Sequence, residues 1–351
     1  MTADSSVAIA ADALAAFCTR LLVAAGASDG NARTVVDHLI EADRMGLRSH
    51  GVIRIPQYLA EIALGEVDPA AQPQIETLMP GRGHVDGRRG FGQVVGVQMA
   101  GEAVRLAGAT GIGFVGGRHM GHTGRIGAYA QAIAARGMLG IAVCSGPRSG
   151  HWVAPFGGRE GRLSTNPIAF ACPIEGGSPI VADFSTSVVP EGMVRSLRNR
   201  GLTAPEGAIR DAAGRPTTDP ADLYAEPHGA IQPIGGAVGY RGTALGILVE
   251  ILAALLAGDE TADSAREGSD LAMIAIVTDG ALAGRAARMA DYVRSAAPLD
   301  PERPVLLPGE REQREAARTG GATVLVDGPT WQAMVRAAGS GIDVPDTMRT
   351  E

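Results

Sequence analysis

At 351 residues, 45% hydrophobic and 20% charged, the chain reads as a soluble globular protein long enough for two domains and a large core. A net charge of −7 argues against nucleic acid as a partner, because no arginine stripe is available to neutralise a phosphate backbone. All 31 basic residues are arginine, which excludes any mechanism built on a lysine Schiff base.

The first third reads helical. "SVAIAADALAAFCTRLLVAAGA" and "SDGNARTVVDHLIEADRMGL" are amphipathic, the second opened by a Ser28/Asp29 cap, and "IRIPQYLAEIALG" stops at Gly65 as a helix should. The N-terminal stretch carries Asp4 and Asp12 and no basic n-region, so a secretory signal is not expected and a cytoplasmic enzyme is. A strand and glycine turn, "GHVDGRRGFGQ", precede a helix near Val94 to Leu106 and a strand at Gly113. In the middle, "LGIAVCSG", "PIAFACP" and "PIVADFST" are short apolar runs separated by Gly and Pro, which fits a mixed or largely antiparallel sheet better than a βαβ array. Residues 204–236 are polar and loop-rich, a surface excursion placed to fold over a site. A helix near Thr243 to Leu256 follows; its apolar run is too short to span a bilayer and contains Glu250, so no membrane partner is expected. The chain then offers the strand "LAMIAIVTD", the turn and helix of "PVLLPGERE" through Arg318, the strand "ATVLVD" and a helix from Pro329. Cys18, Cys144 and Cys172 have neither metal-ligand nor disulfide spacing and read as packing residues.

"GIGFVG", Gly111 to Gly116, fits the G-x-G-x-x-G pattern of pyrophosphate-binding turns. Its context is wrong for one. A helix precedes it, the motif is itself the strand, and no Asp or Glu follows within the next 20 or so residues to hold a ribose. It reads as a helix-to-strand turn.

Four segments carry residues suited to chemistry. In "LRSHGVIRIPQYL", Ser49 and His50 lie between helices, with Arg54 and Tyr58 four residues apart on one helical face. A neutral-range imidazole beside a hydroxyl and a carboxylate-gripping guanidinium suits a 2-hydroxy or 2-keto acid; a helix cap and a solvated arginine fit the same letters. In "RHMGHTGRIGAYA", His119 and His122 flank a strand end among glycines; no third ligand completes a metal site, and general acid/base work is the better functional reading. "LSTNPIAFACP" and "VADFSTS" end in hydroxyl-rich turns that can offer amides and hydroxyls to phosphate or ribose, or serve as plain strand caps. In "LLPGERE", Gly309 and Glu310 open a helix, an anion contact or a cap.

In this order, "SHGVIRIPQYL", "HTGRIGAYA", "VAPFGG", "STNPIAFACP", "DFSTSVV", "YRGTALGILVEIL" and "LLPGE" resemble the motifs of the malate/L-lactate dehydrogenase family of the non-Rossmann type, over nearly the whole chain from about Leu14 to Trp331. That family includes ureidoglycolate dehydrogenase, diketogulonate reductase, sulfolactate dehydrogenase and piperideine-2-carboxylate reductase. The resemblance implies an α/β (α+β) fold in which a largely antiparallel sheet binds NAD or NADP. It implies an NAD(P)-binding domain over residues 122–285, a helical or mixed substrate and dimerisation domain from 1–121 together with 286–351, and a homodimer. The implied activity is hydride transfer between nicotinamide and a small 2-hydroxy/2-keto acid; a cyclic imino acid reductase and an inactive dinucleotide-binding protein are the alternatives.

By the same similarity, His122 matches the acid/base histidine and His50 the second histidine proposed for proton transfer, while Ser49, Arg54 and Tyr58 match substrate-side positions. The cofactor would lie against Ser145, Thr165 and Asn166, the run Asp183, Phe184, Ser185 and Thr186, then Arg241 and the turn at Gly309 and Glu310; no metal is implied. Two departures stand out. Arg241 occupies the position where members commonly carry lysine, and the two are not equivalent at a phosphate site. "RHMGHTG" replaces an Asn/Ser-rich lead-in and H-F-G, so no phenylalanine follows His122.

Overall fold

The computed structural model describes residues 6–257, 268–318 and 322–347. In chain order these form β1 (Val7–Ala10), α1 (Ala11–Ala24), α2 (Asp29–Arg44), two single 3₁₀ turns at Arg48–His50 and Val52–Arg54, and α3 (Ile55–Ala63). Next come β2 (Gln74–Met79), β3 (Arg82–Gly90), α4 (Gly92–Thr110), β4 (Ile112–Met120), α5 (Gly127–Ala134), β5 (Leu139–Ser145), β6 (Ile168–Cys172), β7 (Ile180–Phe184) and α6 (Glu191–Asn199). Three two-residue strands follow, β8 (Ile209–Arg210), β9 (Pro216–Thr217) and β10 (Ala230–Ile231). The chain continues with α7 (Tyr240–Glu250), which runs on as a π-helical turn through Leu255, then β11 (Ser269–Ile276), α8 (Leu282–Arg294), α9 (Glu310–Arg318), β12 (Thr323–Val326) and α10 (Gly328–Ala338).

The central sheet has the order β2-β3-β4-β11-β5-β6-β7. Among the described residues its β3–β4 pair is parallel and every other pair antiparallel, so the expected mixed, largely antiparallel sheet is what forms. "IGFVGG" opens β4 after Gly111, which ends α4 at φ +86°, and Gly113 and Gly117 serve packing. A Cβ on Gly113 would sit 2.2 Å from the Ala103 carbonyl of α4, and one on Gly117 would sit 2.5 Å from Met99 Sδ; bare backbone lets the helix lie directly on the strand.

A first apolar core joins the two ends of the chain. Leu14, Phe17, Leu22, Val35, Leu39, Ile55 and Tyr58 pack with Val324, Val326 and Met334. A second lies between the sheet and helices α4 and α5, with Met99, Val115, Ile133 and Met273 at its centre. Ser28 caps α2 by accepting from Asn31 N at 3.2 Å, and Gly65 takes φ +73° after α3, as the sequence predicts.

Three elements differ from the sequence reading. Residues 7–10 are not the first turn of a helix but a strand paired with β12, Val7 opposite Val326; the β-branched Val7 and Ile9 favour that state once a partner is present. Strand β2 has no apolar alternation to read, since all six of its residues are exposed. Residues 204–236 are loop-rich as expected, yet they carry the small sheet β10-β8-β9 and a core of their own, Ile209, Leu223 and Ile231 against Val153 and Val194. Among the described residues no helix is long and apolar enough to cross a membrane.

Candidate active site

Two imidazoles meet where the turns after α2 face the loop between β4 and α5. The rings of His50 and His122 stack with centroids 5.8 Å apart and planes 22° from parallel. Each has its Nδ1 held from behind: His50 by Ser49 Oγ at 3.0 Å, His122 by the Tyr58 hydroxyl at 2.8 Å. His50 and His122 are both half-buried residues. Arg54 stands beside them, tied by Nε to the Ser49 carbonyl at 2.7 Å and by Nη1 to Gln57 Oε1 at 2.7 Å. Its Nη2 has no hydrogen-bond partner among the described residues and lies next to Gly192 at the start of α6, where a Cβ would come within 3.3 Å of it. Of the five residues expected to be catalytic or on the substrate side, Ser49, His50, Arg54 and His122 come together here. Tyr58, 1% exposed, stands behind His122 instead, its oxygen also receiving Gln93 Nε2 at 2.7 Å.

Both histidine-bearing segments are pinned from outside. Asp43 Oδ2 accepts from Val52 N at 2.8 Å and locks the turn that presents Ser49 and His50; Gly51 permits this, since a Cβ there would fall 1.9 Å from Asp43 Oδ1. The His122 loop is anchored at several points. His38 Nε2 accepts from Arg125 N at 2.9 Å, the Tyr129 hydroxyl donates to the Thr123 carbonyl, and Asp183 Oδ2 accepts from Gly127 N at 2.7 Å at the first turn of α5. Anchoring of this kind fixes where the two imidazoles stand.

Burial sets the electrostatics. It is the largest influence on His122, holding it well below the ordinary imidazole range, and the charge of Arg54 deepens the effect, followed by His50 and His38. His50 is lowered to about 4 by burial and then by Arg54 and Arg125. Both rings are therefore neutral bases near pH 7. Burial also lowers Arg54 from its usual value, with Tyr58 and Glu191 opposing, and a guanidinium remains charged under such a shift. Tyr58 is raised by burial and stays a neutral phenol.

The residues expected on the cofactor side gather mainly around the open ends of β5, β6 and β7. Ser145 and Asn166, both fully buried, donate to the same oxygen, Glu250 Oε1, at 2.7 and 2.9 Å, and Asn166 Nδ2 also reaches the Gly246 carbonyl at 3.0 Å. Asn166 Oδ1 is buried without a hydrogen-bond partner among the described residues, and its backbone is held at φ +40°. Thr186 N donates to the Thr165 carbonyl at 3.0 Å. Asp183 and Phe184 are exposed, the latter 42%, with Ser185 half-buried behind them. Gly309 rests on β7, where a Cβ would lie 2.9 Å from the Val181 carbonyl. Glu310 is committed to structure: Oε2 caps Leu307 N at 2.7 Å and Oε1 pairs with Arg294 at 2.7 Å. Arg241 stands apart on the exposed first turn of α7, against the Tyr240 ring at 5.6 Å.

Sequence reasoning passed over Asp43, Gln93 and His38 as parts of this machinery, and took Glu250 only as a charge that spoils a membrane span. Each carried a signal, a lone polar side chain on an otherwise apolar helical face. His119, flagged with His122, turns instead to Asp86 at 3.1 Å.

The family model of malate/L-lactate dehydrogenase matches residues 9–335. A malate dehydrogenase of Pyrococcus abyssi is 37% identical over 261 residues, covering 73% of this chain and 70% of that protein. Delta(1)-pyrroline-2-carboxylate reductase 2 of Burkholderia multivorans is 36% identical over 265 residues, 76% of this chain and 74% of that one. The solved malate dehydrogenase of Pyrococcus horikoshii OT3 superposes with a TM-score of 0.85 at 27% identity over 98% of each chain. The chain belongs to the malate/L-lactate dehydrogenase family and is an oxidoreductase of the class that acts on CH–OH donors.

Proposed function

We propose that the protein moves a hydride reversibly between a nicotinamide cofactor and C2 of a small 2-hydroxy/2-keto acid. The observation that carries this reading is the Arg54 guanidinium, its Nη2 without a hydrogen-bond partner among the described residues, beside two neutral imidazoles. Arg54 grips the substrate carboxylate by charge-assisted hydrogen bonds, which sets the C2 oxygen among the histidines. His122 takes the hydroxyl proton during oxidation and returns it during reduction; His50, anchored by Ser49, is the second proton-handling ring. A carboxylate on Arg54 cancels part of the charge that depresses both imidazoles, so substrate binding itself raises their affinity for the proton.

The nicotinamide, when bound, supplies or accepts the hydride. An orphaned buried acceptor, Asn166 Oδ1, and the exposed Asp183 and Phe184 fit a dinucleotide lying along the ends of β6 and β7. Thr165, Ser185 and Gly309 would complete the cradle, with Ser145 and Glu250 holding Asn166 in place and Arg241 meeting phosphate. In the same proposal residues 122–285 serve the dinucleotide, and 1–121 with 286–351 serve substrate and dimer contact, in keeping with a core drawn from both chain ends. Ile247, Leu248, Ile251 and Leu255 leave an exposed apolar stripe along α7 and its π turn, a face of the dinucleotide unit that would extend the dimer contact beyond the other unit.

Similarity to a pyrroline-2-carboxylate reductase supports a second reading, reduction of C=N in a cyclic imino acid, in which the hydride again lands beside a carboxylate. One assay tests both: loss of absorbance at the nicotinamide band, with NADH and NADPH run separately against 2-keto acids and cyclic imines. Turnover of a keto acid establishes the first reading and assigns the cofactor, turnover of cyclic imines alone establishes the second, and binding of cofactor without any turnover overturns both.

A further inference from the structure

The chain of hydrogen bonds behind His122 does not end at Tyr58. Gln93, on the first turn of α4 and wholly buried, gives its Nε2 to the Tyr58 oxygen at 2.7 Å, while its Oε1 is buried without a hydrogen-bond partner among the described residues. An orphaned acceptor in such a place calls for a reason.

The reason lies in the tautomers of His122. With Gln93 donating, the Tyr58 proton must point at Nδ1, so the imidazole carries its hydrogen on Nε2 and cannot accept another there. Gly124 N, 3.3 Å from Nδ1, weakly favours that arrangement. Acceptance of a proton from the open side needs the opposite pattern: Nδ1–H donating to the Tyr58 oxygen, Tyr58 O–H donating onward, and an acceptor at the end. A half-turn of the Gln93 amide presents Oε1 at that point within nearly the same volume, since the two ends of an amide differ little in size. The titratable and charged groups facing His122 are His50, Arg54, His38 and Tyr58, and none of them is a carboxylate that could do this work.

We propose that Gln93 is a positioning residue for His122: acting through Tyr58, the orientation of its amide selects the tautomer whose Nε2 lone pair faces the substrate. The proposal rests on His122 as the acid/base group. An orienting partner of this kind changes rate through the tautomer rather than through substrate binding.

The test uses full-length protein labelled with ¹⁵N-histidine and free of cofactor, in wild-type, Gln93→Glu and Gln93→Leu forms, with His122→Asn to assign the resonances. Gln93→Glu, an acceptor that cannot turn into a donor when ionised, is expected to move His122 to the Nδ1–H tautomer and to shift the acid limb of kcat/KM for hydroxy-acid oxidation upward by about one pH unit. Gln93→Leu is expected to leave His122 as Nε2–H and to lower kcat by roughly tenfold or more with KM unchanged. If Gln93→Leu fails to fold, Tyr58→Phe severs the same chain and must likewise abolish the effect of Gln93→Glu on the His122 nitrogen shifts. Identical His122 nitrogen shifts in wild type and Gln93→Glu overturn the proposal. A tautomer change in a protein whose turnover is indifferent to His122→Asn leaves the relay standing and removes the catalytic reading instead.

Discussion

The Tyr58 hydroxyl meets His122 Nδ1 at 2.8 Å although the two residues are 64 positions apart. One belongs to a helix of the first core and the other to a loop leaving the central sheet, so this bond couples the two layers at the candidate site. Tyr58→Phe removes it and strands Gln93 Nε2, at a cost of about 1–3 kcal/mol for an unsatisfied buried donor. The expected outcome is a folded protein with a lower kcat and an unchanged KM, read by denaturant unfolding and steady-state kinetics.

Removal of either imidazole separates the proton from the carboxylate. His122→Ala is expected to lower kcat by roughly 10²–10⁴-fold, the usual worth of general acid/base catalysis, while leaving cofactor binding intact by fluorescence. Near wild-type turnover in both His122→Ala and His50→Ala sinks the mechanism.

Arg54→Gln takes away a charged hydrogen-bond donor worth about 1.5–3 kcal/mol, so KM is expected to rise roughly 10–100-fold. Arg54→Lys recovers only part of this, because an ammonium lacks the planar fork. A KM that is indifferent to both changes assigns the carboxylate to another group.

Gly51→Ala and Gly101→Ala make a matched pair. The first drives a methyl to 1.9 Å from Asp43 Oδ1 and breaks the bond to Val52 N; overpacking of this sort costs about 1–3 kcal/mol, with loss of activity as the Ser49–His50 turn shifts. The second sits inside α4 with nothing within 4 Å of the new methyl and is expected to stabilise by about 0.4–1 kcal/mol. Thermal unfolding of the two variants reads both signs.

His38 gives stability a defined acid dependence. Burial, then the charges of Arg125 and His50, lowers it from 6.5 to about 3, so between those values the unfolded chain binds a proton that the folded chain refuses. Stability from this residue is whole above pH 6.5 and is lost as pH falls toward 3. Asp43 works in the opposite direction: raised from 3.8 to about 7, chiefly by burial, it makes the fold less stable as pH rises through that window. His38→Gln is expected to flatten the acid limb of unfolding free energy against pH, and Asp43→Asn to flatten the fall between pH 4 and 7. Urea titrations at stepped pH measure both.

Legibility followed the physics of each element. Ser28, Gly65 and Pro329 announce their helices because capping is local, and the short apolar runs of β5, β6 and β7 between Gly and Pro announce strands because their length and composition are local signals. Strand β1 could not be read, since its state depends on pairing with β12 more than three hundred residues away. In the site, Ser49, His50, Arg54 and His122 were named because reactive side chains near glycines stand out. Gln93, Asp43 and His38 were not, for their work is to hold other groups, and a holding residue looks like any lone polar side chain until its neighbour is known.

The antiparallel pairing of Val7–Ala10 with Thr323–Val326 also dictates an order of events during synthesis. The ribosome must deliver Val326 before Val7 has a partner, so the layer bearing His50 and Tyr58 closes only after the sheet bearing His122 has been made. A half-made chain therefore lacks Val324, Val326 and Met334, partners of Phe17, Leu22 and Ile55 in the first core, and ribosome-bound chains stalled before Val326 are expected to bind chaperones more than chains stalled after Ala338.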